Sequence, residues 1–381
     1  MWADMSSQNL ATTFNYKYSK EYKEALTNAR PSSWIPEDLW FRLPTTVKWK
    51  VKAIEDDLID KIKESLTTDW QESKDIILGV FLDLFMTLET WFTREQAIEI
   101  VWNLDKFTHD EITPINPLNW VENTHIFEQY HWPTDAFKDI ALQMVTSMTS
   151  LIVQEQNEEA IRKAKEWIRG QKLKFLVTQT STSWDTWPAG WSWIEGKNFI
   201  LNVIGFPENE ATYSQKGQMI NLGGNVLSLP MNRSFSDIQE LMKDCDTPEF
   251  NEKLVSILNK EFADLIEEYW FEIEVDTGSF NSINPWRVDW QMLYHSEGIL
   301  QAKAKNIIQD NDELIEVIPS WNGGHVFSNL MARLQTEQKW KTIVTCNRNN
   351  MFYKIIEEWK FFIYRCKNWW TFCINDNKIP Q

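Results

Sequence analysis

The longest apolar run of the chain lies in DWQESKDIILGVFLDLFMTL, which extends from Asp69 to Leu88. Its apolar residues fall on several sides of a helix, so the stretch predicts a helix buried in the centre of the fold. The run from Ile76 to Met86 is about 11 residues long and contains Asp83, which makes it too short to cross a bilayer. Upstream, from Val47, apolar residues recur every three or four positions and predict an amphipathic helix: Val51, Ile54, Leu58, Ile62 and Leu66.

Further helical patterns extend in the C-terminal direction. Thr93-Arg-Glu-Gln96 has the form of a capping box at a helix start. Gly170 suits the position after a helix end. Leu173, Phe175 and Val177 alternate as in a strand, and 199–204 is a second short apolar run. Helical patterns cover 134–153, 158–168, 285–308, 326–340 and 351–370. We therefore predict a mainly α fold, built of many helices with a small central β element.

Composition divides the chain into four predicted segments. Residues 1–30 are polar with scattered aromatics and predict a flexible N-terminal arm. Residues 31–170 form a helical region, and 171–233 form a β- and loop-rich region with many tryptophans. Residues 234–381 form a second helical region with a basic C-terminal end.

The charge distribution is acidic overall but uneven. The 381 residues contain 38 Lys and Arg against 55 Asp and Glu, a net charge of −17. This balance argues against a freely diffusing nucleic-acid binder. Between Ser234 and Asp276, 13 acids and 3 lysines give −10, whereas 339–381 contain 8 basic residues and 3 acids, giving +5. Four cysteines without a CxxC pair favour a reducing compartment.

No familiar catalytic pattern is present. The sequence lacks GxGxxG, GxxxxGK[ST], HExxH, an EF-hand loop and GxSxG. His295-Ser-Glu297 matches half of a zinc-deaminase signature, but the PCxxC half is missing. Acidic pairs such as Glu267-Glu268 are expected by chance among 55 carboxylates. We therefore predict no catalytic residue, no metal, no cofactor and no enzymatic activity. A cytoplasmic enzyme without a recognisable motif and a helical interaction scaffold stay open as alternatives.

Tryptophan and glycine depart most from ordinary composition. The chain has 22 Trp and only 12 Gly, although glycine usually makes up roughly 7% of residues. Four tryptophans lie within ten residues around Pro188 and Gly190, in a turn-rich stretch that one helix cannot bury. Because tryptophan is enriched at protein interfaces, we predict subunit contacts at these rings and at two tyrosines of the arm. The predicted interface residues are Trp184, Trp187, Trp191, Trp193, Tyr16 and Tyr18.

The chain resembles the coat proteins of partitiviruses, small double-stranded RNA viruses, and within them the deltapartitivirus type. The resemblance rests on the length, the helical order around a small β element, the polar arm, and the segments PWRVDW (285–290) and SWNGG (320–324). It implies a capsid protein that self-assembles as homodimers into an icosahedral shell. Such a shell encloses double-stranded RNA and the viral polymerase, so the implied location is the virion and the host cytoplasm, with no membrane partner.

Under this hypothesis, the basic C-terminal segment faces the packaged RNA, because a phosphate backbone attracts a positive surface. The predicted contact is weak and not sequence-specific. The candidate RNA-facing residues are Lys339, Lys341, Arg348, Lys354, Lys360, Arg365 and Lys367.

Overall fold

The protein is described by a computed structural model. It describes residues 37–88, 92–131, 138–180, 200–207, 226–231, 252, 255–256, 258–260, 263–279, 285–319, 324–346, 362–365 and 370–374. Within these ranges, the contacts divide the chain into two compact units. Unit 1 lies within 136–284, and unit 2 combines 35–135 with 285–381. The four segments predicted from composition stay a prediction.

Unit 1 is built on a parallel sheet of four strands. The strands are β3 (Lys172–Thr180), β4 (Ile200–Pro207), β5 (Val226–Met231) and β6 (Glu272–Ser279), in the order β5-β4-β3-β6. All neighbouring pairs run parallel. The unit also contains the helices α4 (Asp139–Lys165) and α5 (Ala263–Tyr269). Ala160 and Ala164 of α4 pack with Leu173, Phe175 and Phe271 in a buried cluster.

Unit 2 begins with three helices, α1 (Glu37–Ser65), α2 (Trp70–Met86) and α3 (Arg94–Val101), followed by a 3-10 helix, Trp102–Lys106. A small antiparallel hairpin joins β1 (Ile115–Pro117) to β2 (His125–Phe127). Helices α6 (Pro285–Ala304) and α7 (Gly324–Thr336) pack on α1. The core includes Trp290 stacked on Phe85, with ring centroids 4.9 Å apart.

The second sheet of unit 2 is mixed. Its strands are β7 (Leu314–Pro319), β8 (Trp340–Cys346), β9 (Phe362–Arg365) and β10 (Trp370–Ile374), in the order β7-β8-β10-β9. β7 and β8 are parallel and flank α7 in the sequence, whereas β10 is antiparallel to both of its neighbours. A parallel pair needs such a crossover helix.

Several helix starts agree with the sequence patterns. The side chain of Asp69 accepts hydrogen bonds from the backbone N–H groups of Gln71 and Glu72 and caps α2. Thr93 and Gln96 form both bonds of the predicted capping box before α3. These two helix starts are confirmed because capping depends on neighbouring residues alone.

The predicted mainly α fold is wrong, because each unit combines its helices with a four-stranded sheet. The pattern over 326–340 predicts one helix, but Glu337 takes a positive φ of 53° and β8 begins at Trp340. The pattern over 351–370 also predicts a helix, but 362–365 is a strand. β6 begins in the acidic segment 234–276, where Glu272, Glu274 and Asp276 add to the negative charge. Among the described residues, no helix is both long and apolar enough to cross a membrane.

Candidate functional site

The order of strands in unit 1 creates a place where ligands usually bind in open α/β sheets. From β3 the chain moves to β4 and β5 on one side and returns to β6 on the other side of β3. The connection after β3 leads to one side of that strand, and the connection into β6 crosses to its other side, so the strand order reverses between β3 and β6. Ligands bind outside the carboxyl ends of the strands at such a switch point. In this sheet those ends are Thr180 of β3 and Ser279 of β6.

Helix α4 carries a lysine to the same edge. Asn157 of α4 donates from Nδ2 to the carbonyl oxygen of Lys174 (2.9 Å) and accepts at Oδ1 from the Lys174 N–H (2.8 Å). These bonds fix the late part of α4 beside the start of β3, to which a short connection joins it. The helix therefore runs antiparallel to the strand, and its first residues lie toward the carboxyl edge.

The lengths of α4 and β3 give the position of the N-terminus of α4. From Asn157 back to Lys138 the helix rises about 29 Å, at about 1.5 Å per residue. From Lys174 to Thr180 the strand advances about 20 Å, at about 3.3 Å per residue. The N-terminus of α4 thus extends about 9 Å past the end of β3 if the two axes are taken as antiparallel. Lys138 occupies the N-cap of α4, at the carboxyl edge of the sheet.

The surroundings of Lys138 are enclosed. Its side chain is half-buried, and every residue from Asp139 to Val153 is buried. Gln143 donates from Nε2 to Oδ1 of Asp139 across one helical turn (3.3 Å). The first turns of α4 thus present a lysine, a buried carboxylate and a buried amide in succession.

Lys106 is the main rival as a reactive lysine within the described residues. Burial lowers the pKa of its amine, a property that activates catalytic lysines. It ends the 3-10 helix of unit 2, however, and donates to Oδ1 of Asn103 at 3.1 Å. Lys74 and Lys303 are buried as well, but their amines are held by backbone carbonyls and by the carboxylates of Glu55 and Asp310, respectively. Position therefore favours Lys138.

Unit 2 contains a helix that is separated from the end of a strand by four residues. β7 ends at Pro319, and the sequence Ser-Trp-Asn-Gly-Gly leads to α7, whose first residue is Gly324. The unpaired N–H groups at the start of a helix bind anions such as phosphate. The start of α7 is buried at His325 and Val326.

A buried polar network lies next to α7. Asn329 donates from Nδ2 to a carboxylate oxygen of Glu316 (2.5 Å) and accepts at Oδ1 from the hydroxyl of Thr342 (3.0 Å). His295 Nδ1 lies 3.3 Å from the other oxygen of Glu316, and its ring is 4.8 Å from that of His325. The network joins α6, α7 and the two parallel strands of the second sheet.

Glu297 belongs to a different cluster. It is fully buried, accepts from the hydroxyl of Thr113 and accepts from Nε2 of Gln301 at 3.2 Å. Burial raises its pKa to about 8, and nearby Glu111 adds to that rise. His295 and Glu297 are two residues apart on α6, and such residues do not face each other on a helix. Their side chains contact different partners, and among the described residues no group of three metal-ligating side chains assembles.

The residues predicted as interface or RNA-facing sites are only partly described. Trp184, Trp187, Trp191, Trp193, Tyr16 and Tyr18 lie outside the described residues, as do Arg348, Lys354, Lys360 and Lys367. Lys339 is exposed, and Lys341 forms an ion pair with Glu313 at 2.7 Å. Arg365 lies in β9, opposite Trp370 of β10. The structure brings Lys339 and Lys341 together only as near neighbours at the start of β8.

Comparisons with known proteins point to one group of enzymes. The chain is 28% identical over 255 residues to the threonine synthase of Saccharomyces cerevisiae, covering 66% of this chain and 43% of that protein. It is 27% identical over 254 residues to the threonine synthase of Pseudomonas aeruginosa, covering 66% and 44%, respectively. The chain thus spans less than half the length of these relatives. No family model matches it.

Solved structures agree on the fold. The PLP-bound threonine synthase of Brucella melitensis matches with a TM-score of 0.52 at 21% identity, covering 80% of this chain and 60% of that one. The Escherichia coli threonine synthase matches with a TM-score of 0.50 at 20% identity, covering 81% and 60%. The chain therefore has the α/β fold of these enzymes.

These findings overturn the capsid hypothesis. The relatives in sequence and in fold are threonine synthases, so the predicted resemblance to partitivirus coat proteins is wrong. The predictions of a non-enzymatic shell subunit, of double-stranded RNA and a viral polymerase as partners, and of a place in the virion and host cytoplasm are wrong for the same reason. The alternative of an enzyme without a recognisable motif agrees better with the relatives.

Sequence reasoning missed Lys138 altogether. A lysine that acts through its position leaves no spacing pattern of the kind that marks a P-loop or a zinc site. One signal was available: Lys138 precedes a run of buried residues from Asp139 to Val153. A charged residue directly before such a run is a candidate for function, but only the parallel strands of unit 1 show at which edge it lies.

Proposed function

We propose that this chain is the catalytic part of a PLP-dependent enzyme of the threonine synthase kind. The observation that carries the proposal is the position of Lys138, at the N-terminus of α4 and at the carboxyl edge of a parallel sheet beside its switch point. The similarity to threonine synthases over 255 residues supports it independently.

The residues present fit pyridoxal phosphate. PLP carries an aldehyde, which enzymes hold through a lysine amine, and a phosphate, which protein N–H groups bind. Unit 1 offers the amine of Lys138 at the carboxyl edge of its parallel sheet. The strands β3 and β6 end at this edge with the sequences Thr-Gln-Thr and Thr-Gly-Ser, respectively.

The chain's own residues have distinct roles in this proposal. When bound, PLP supplies an electron sink for negative charge that develops on an amino-acid substrate. Lys138 would hold the cofactor aldehyde at Nζ and is the candidate base for moving protons. Asp139 and Gln143, buried one turn apart, would hold the first turn of α4 in place and so orient Lys138.

The first test compares two lysine variants. Purified protein mixed with PLP should show a visible absorption band of lysine-bound cofactor. Lys138→Ala should lose that band, whereas Lys106→Ala should keep it, although both changes remove one partly buried amine. A band that survives in Lys138→Ala and disappears in Lys106→Ala would contradict the assignment of Lys138.

A second test addresses the reaction. A gene recoded to encode this chain in the host should allow a bacterial strain lacking its own threonine synthase to grow without threonine, and the same gene with Lys138→Ala should not. Protein that binds PLP through Lys138 but does not restore growth would keep the cofactor assignment and exclude the threonine synthase reaction.

A further inference from the structure

The helix α4 ends in a backbone conformation that normally requires glycine. Trp167 follows the helix with a φ of 63°. Its N–H donates to the carbonyl oxygen of Ala164 (2.8 Å), and the N–H of Ile168 donates to the carbonyl oxygen of Lys163 (3.1 Å). This left-handed C-terminal cap is usually occupied by glycine, because a side chain at Cβ clashes with the backbone. The exposed fraction of Trp167 is 78%, so burial of the ring does not offset the clash.

Helix α5 ends in the same way. Trp270 has a φ of 56°, and its N–H donates to the carbonyl oxygen of Ile266 at 2.7 Å. The exposed fraction of Trp270 is 50%. The guanidinium of Arg169 lies 4.1 Å from the centre of its ring, a contact that an exposed tryptophan in any backbone conformation can make. Two helices of one unit thus place a tryptophan where glycine belongs.

Other exposed tryptophans also lie at the ends of elements or in turns. Trp120 is the third residue of a turn closed by the Val121 N–H on the carbonyl oxygen of Leu118 (2.9 Å), and 80% of it is exposed. Trp70 begins α2, and Trp102 caps the end of α3. Of the seven tryptophans whose burial is described, five are exposed, although tryptophan is highly buried on average.

The composition of the whole chain also indicates that tryptophan replaces glycine. A chain of this length carries roughly 27 glycines at the usual share, whereas this one has 12. The shortfall of about 15 is similar in size to the excess of tryptophan, which reaches 22 where a handful is usual. Selection for packing or binding would act on individual sites and would not lower glycine by the amount that tryptophan rises.

We propose that positions 167 and 270 are glycine in the native protein. Each would be encoded by a codon that the native translation system reads as glycine and that is rendered as tryptophan in this sequence. One codon has both meanings: UGA is read as tryptophan in some genetic codes and as glycine in others. A single reassignment explains exposed rings at unrelated turns and caps together with the composition. The proposal does not depend on the enzymatic activity.

Two buried tryptophans differ from these exposed ones and serve as internal controls. Trp286 and Trp290 are 5% and 0% exposed, and Trp290 stacks on Phe85. Trp290 lies inside α6, where glycine weakens a helix. Because the buried ring fills the core, position 290 requires tryptophan, and we expect the ordinary tryptophan codon UGG there.

The decisive experiment reads the gene and the native protein. We expect UGA at positions 167 and 270 and UGG at position 290. Peptides of the protein purified from the cells that naturally carry the gene should contain glycine at 167 and 270 and tryptophan at 290. UGG codons, or tryptophan in the native peptides, at 167 and 270 would overturn the proposal.

Recombinant variants test the backbone argument separately. The double variant Trp167→Gly, Trp270→Gly should raise the Tm by a few degrees over the chain with tryptophan. The matched variant Trp167→Ala, Trp270→Ala removes the rings but keeps Cβ, so it should gain less. Trp290→Gly should lower the Tm. Equal Tm values for the glycine and alanine pairs, or a lower Tm for the glycine pair, would contradict a requirement for glycine.

Discussion

At the residue scale, Glu297 shows how burial sets the behaviour of a single group. Its side chain is fully buried, and Lys305, whose charge opposes the rise in pKa, is itself paired with Glu111 at 2.7 Å. The ionised form is therefore costly, and burial raises the pKa to about 8. In the unfolded chain the same group titrates near its ordinary value of 4.5.

This difference predicts a loss of stability with rising pH. The folded state keeps the proton that the unfolded state releases, so the contribution of Glu297 is full below about pH 4.5 and falls as pH rises to about 8. Glu297→Gln is neutral at every pH and keeps one acceptor for Gln301. We expect its Tm to exceed that of the unchanged protein at pH 8 and to approach it near pH 5. Parallel Tm profiles of the two proteins across this range would refute a protonated Glu297.

The sequence predicts single residues only where chemistry is local. The capping pair Thr93 and Gln96 is visible in four consecutive letters. His295-Ser-Glu297 is equally visible but misleading, because the two side chains lie on different faces of α6 and contact Glu316 and Thr113, respectively. Lys138 is invisible to motif searches because its proposed role depends on the parallel sheet.

At the scale of elements, the helices of unit 2 followed from periodicity, whereas most strands did not. The pattern from Asp69 to Leu88 became α2, which is buried on several sides as expected. β3 and β4 were predicted from short apolar runs. β5, β7 and β8 were missed because they are only six or seven residues long. β6 was missed because its first five residues belong to the acidic segment 234–276.

The capping box of α3 allows a local test. Thr93→Ala removes the acceptor for the Gln96 N–H and should lower the free energy of unfolding by about 1 kcal/mol. Thr93→Ser retains the hydroxyl and should cost much less. Urea unfolding measures both, and equal losses would show that the hydroxyl does not cap the helix.

Asn157 tests the link between α4 and β3. Asn157→Ala leaves the N–H and the carbonyl of Lys174 without this partner, which should cost about 2–4 kcal/mol of unfolding free energy. Glu158→Ala, on the exposed side of the same helix, is the control and should change it by less than about 0.5 kcal/mol. If both variants unfold at the same urea concentration, Asn157 does not hold the helix to the strand.

At the scale of the whole molecule, the parallel sheet of unit 1 is the feature that makes this acidic chain, which lacks known catalytic motifs, a candidate enzyme. Composition excludes some classes of protein but does not reveal the order of strands in a sheet. The capsid hypothesis rested on composition and on the general order of predicted elements. The order β5-β4-β3-β6 defines one edge and one switch point. The start of α4 brings Lys138 to that edge, and the relatives that share the fold are threonine synthases.

The most direct measurement maps the lysine that holds the cofactor. The protein is loaded with PLP, reduced with borohydride to fix the cofactor on its lysine, and digested with trypsin. A modified Lys138 resists cleavage, so we expect one labelled peptide that extends from Phe107 to Arg162, the neighbouring cleavage sites being Lys106 and Arg162. Label on Lys106, or label distributed over many surface lysines, would contradict the proposed active site.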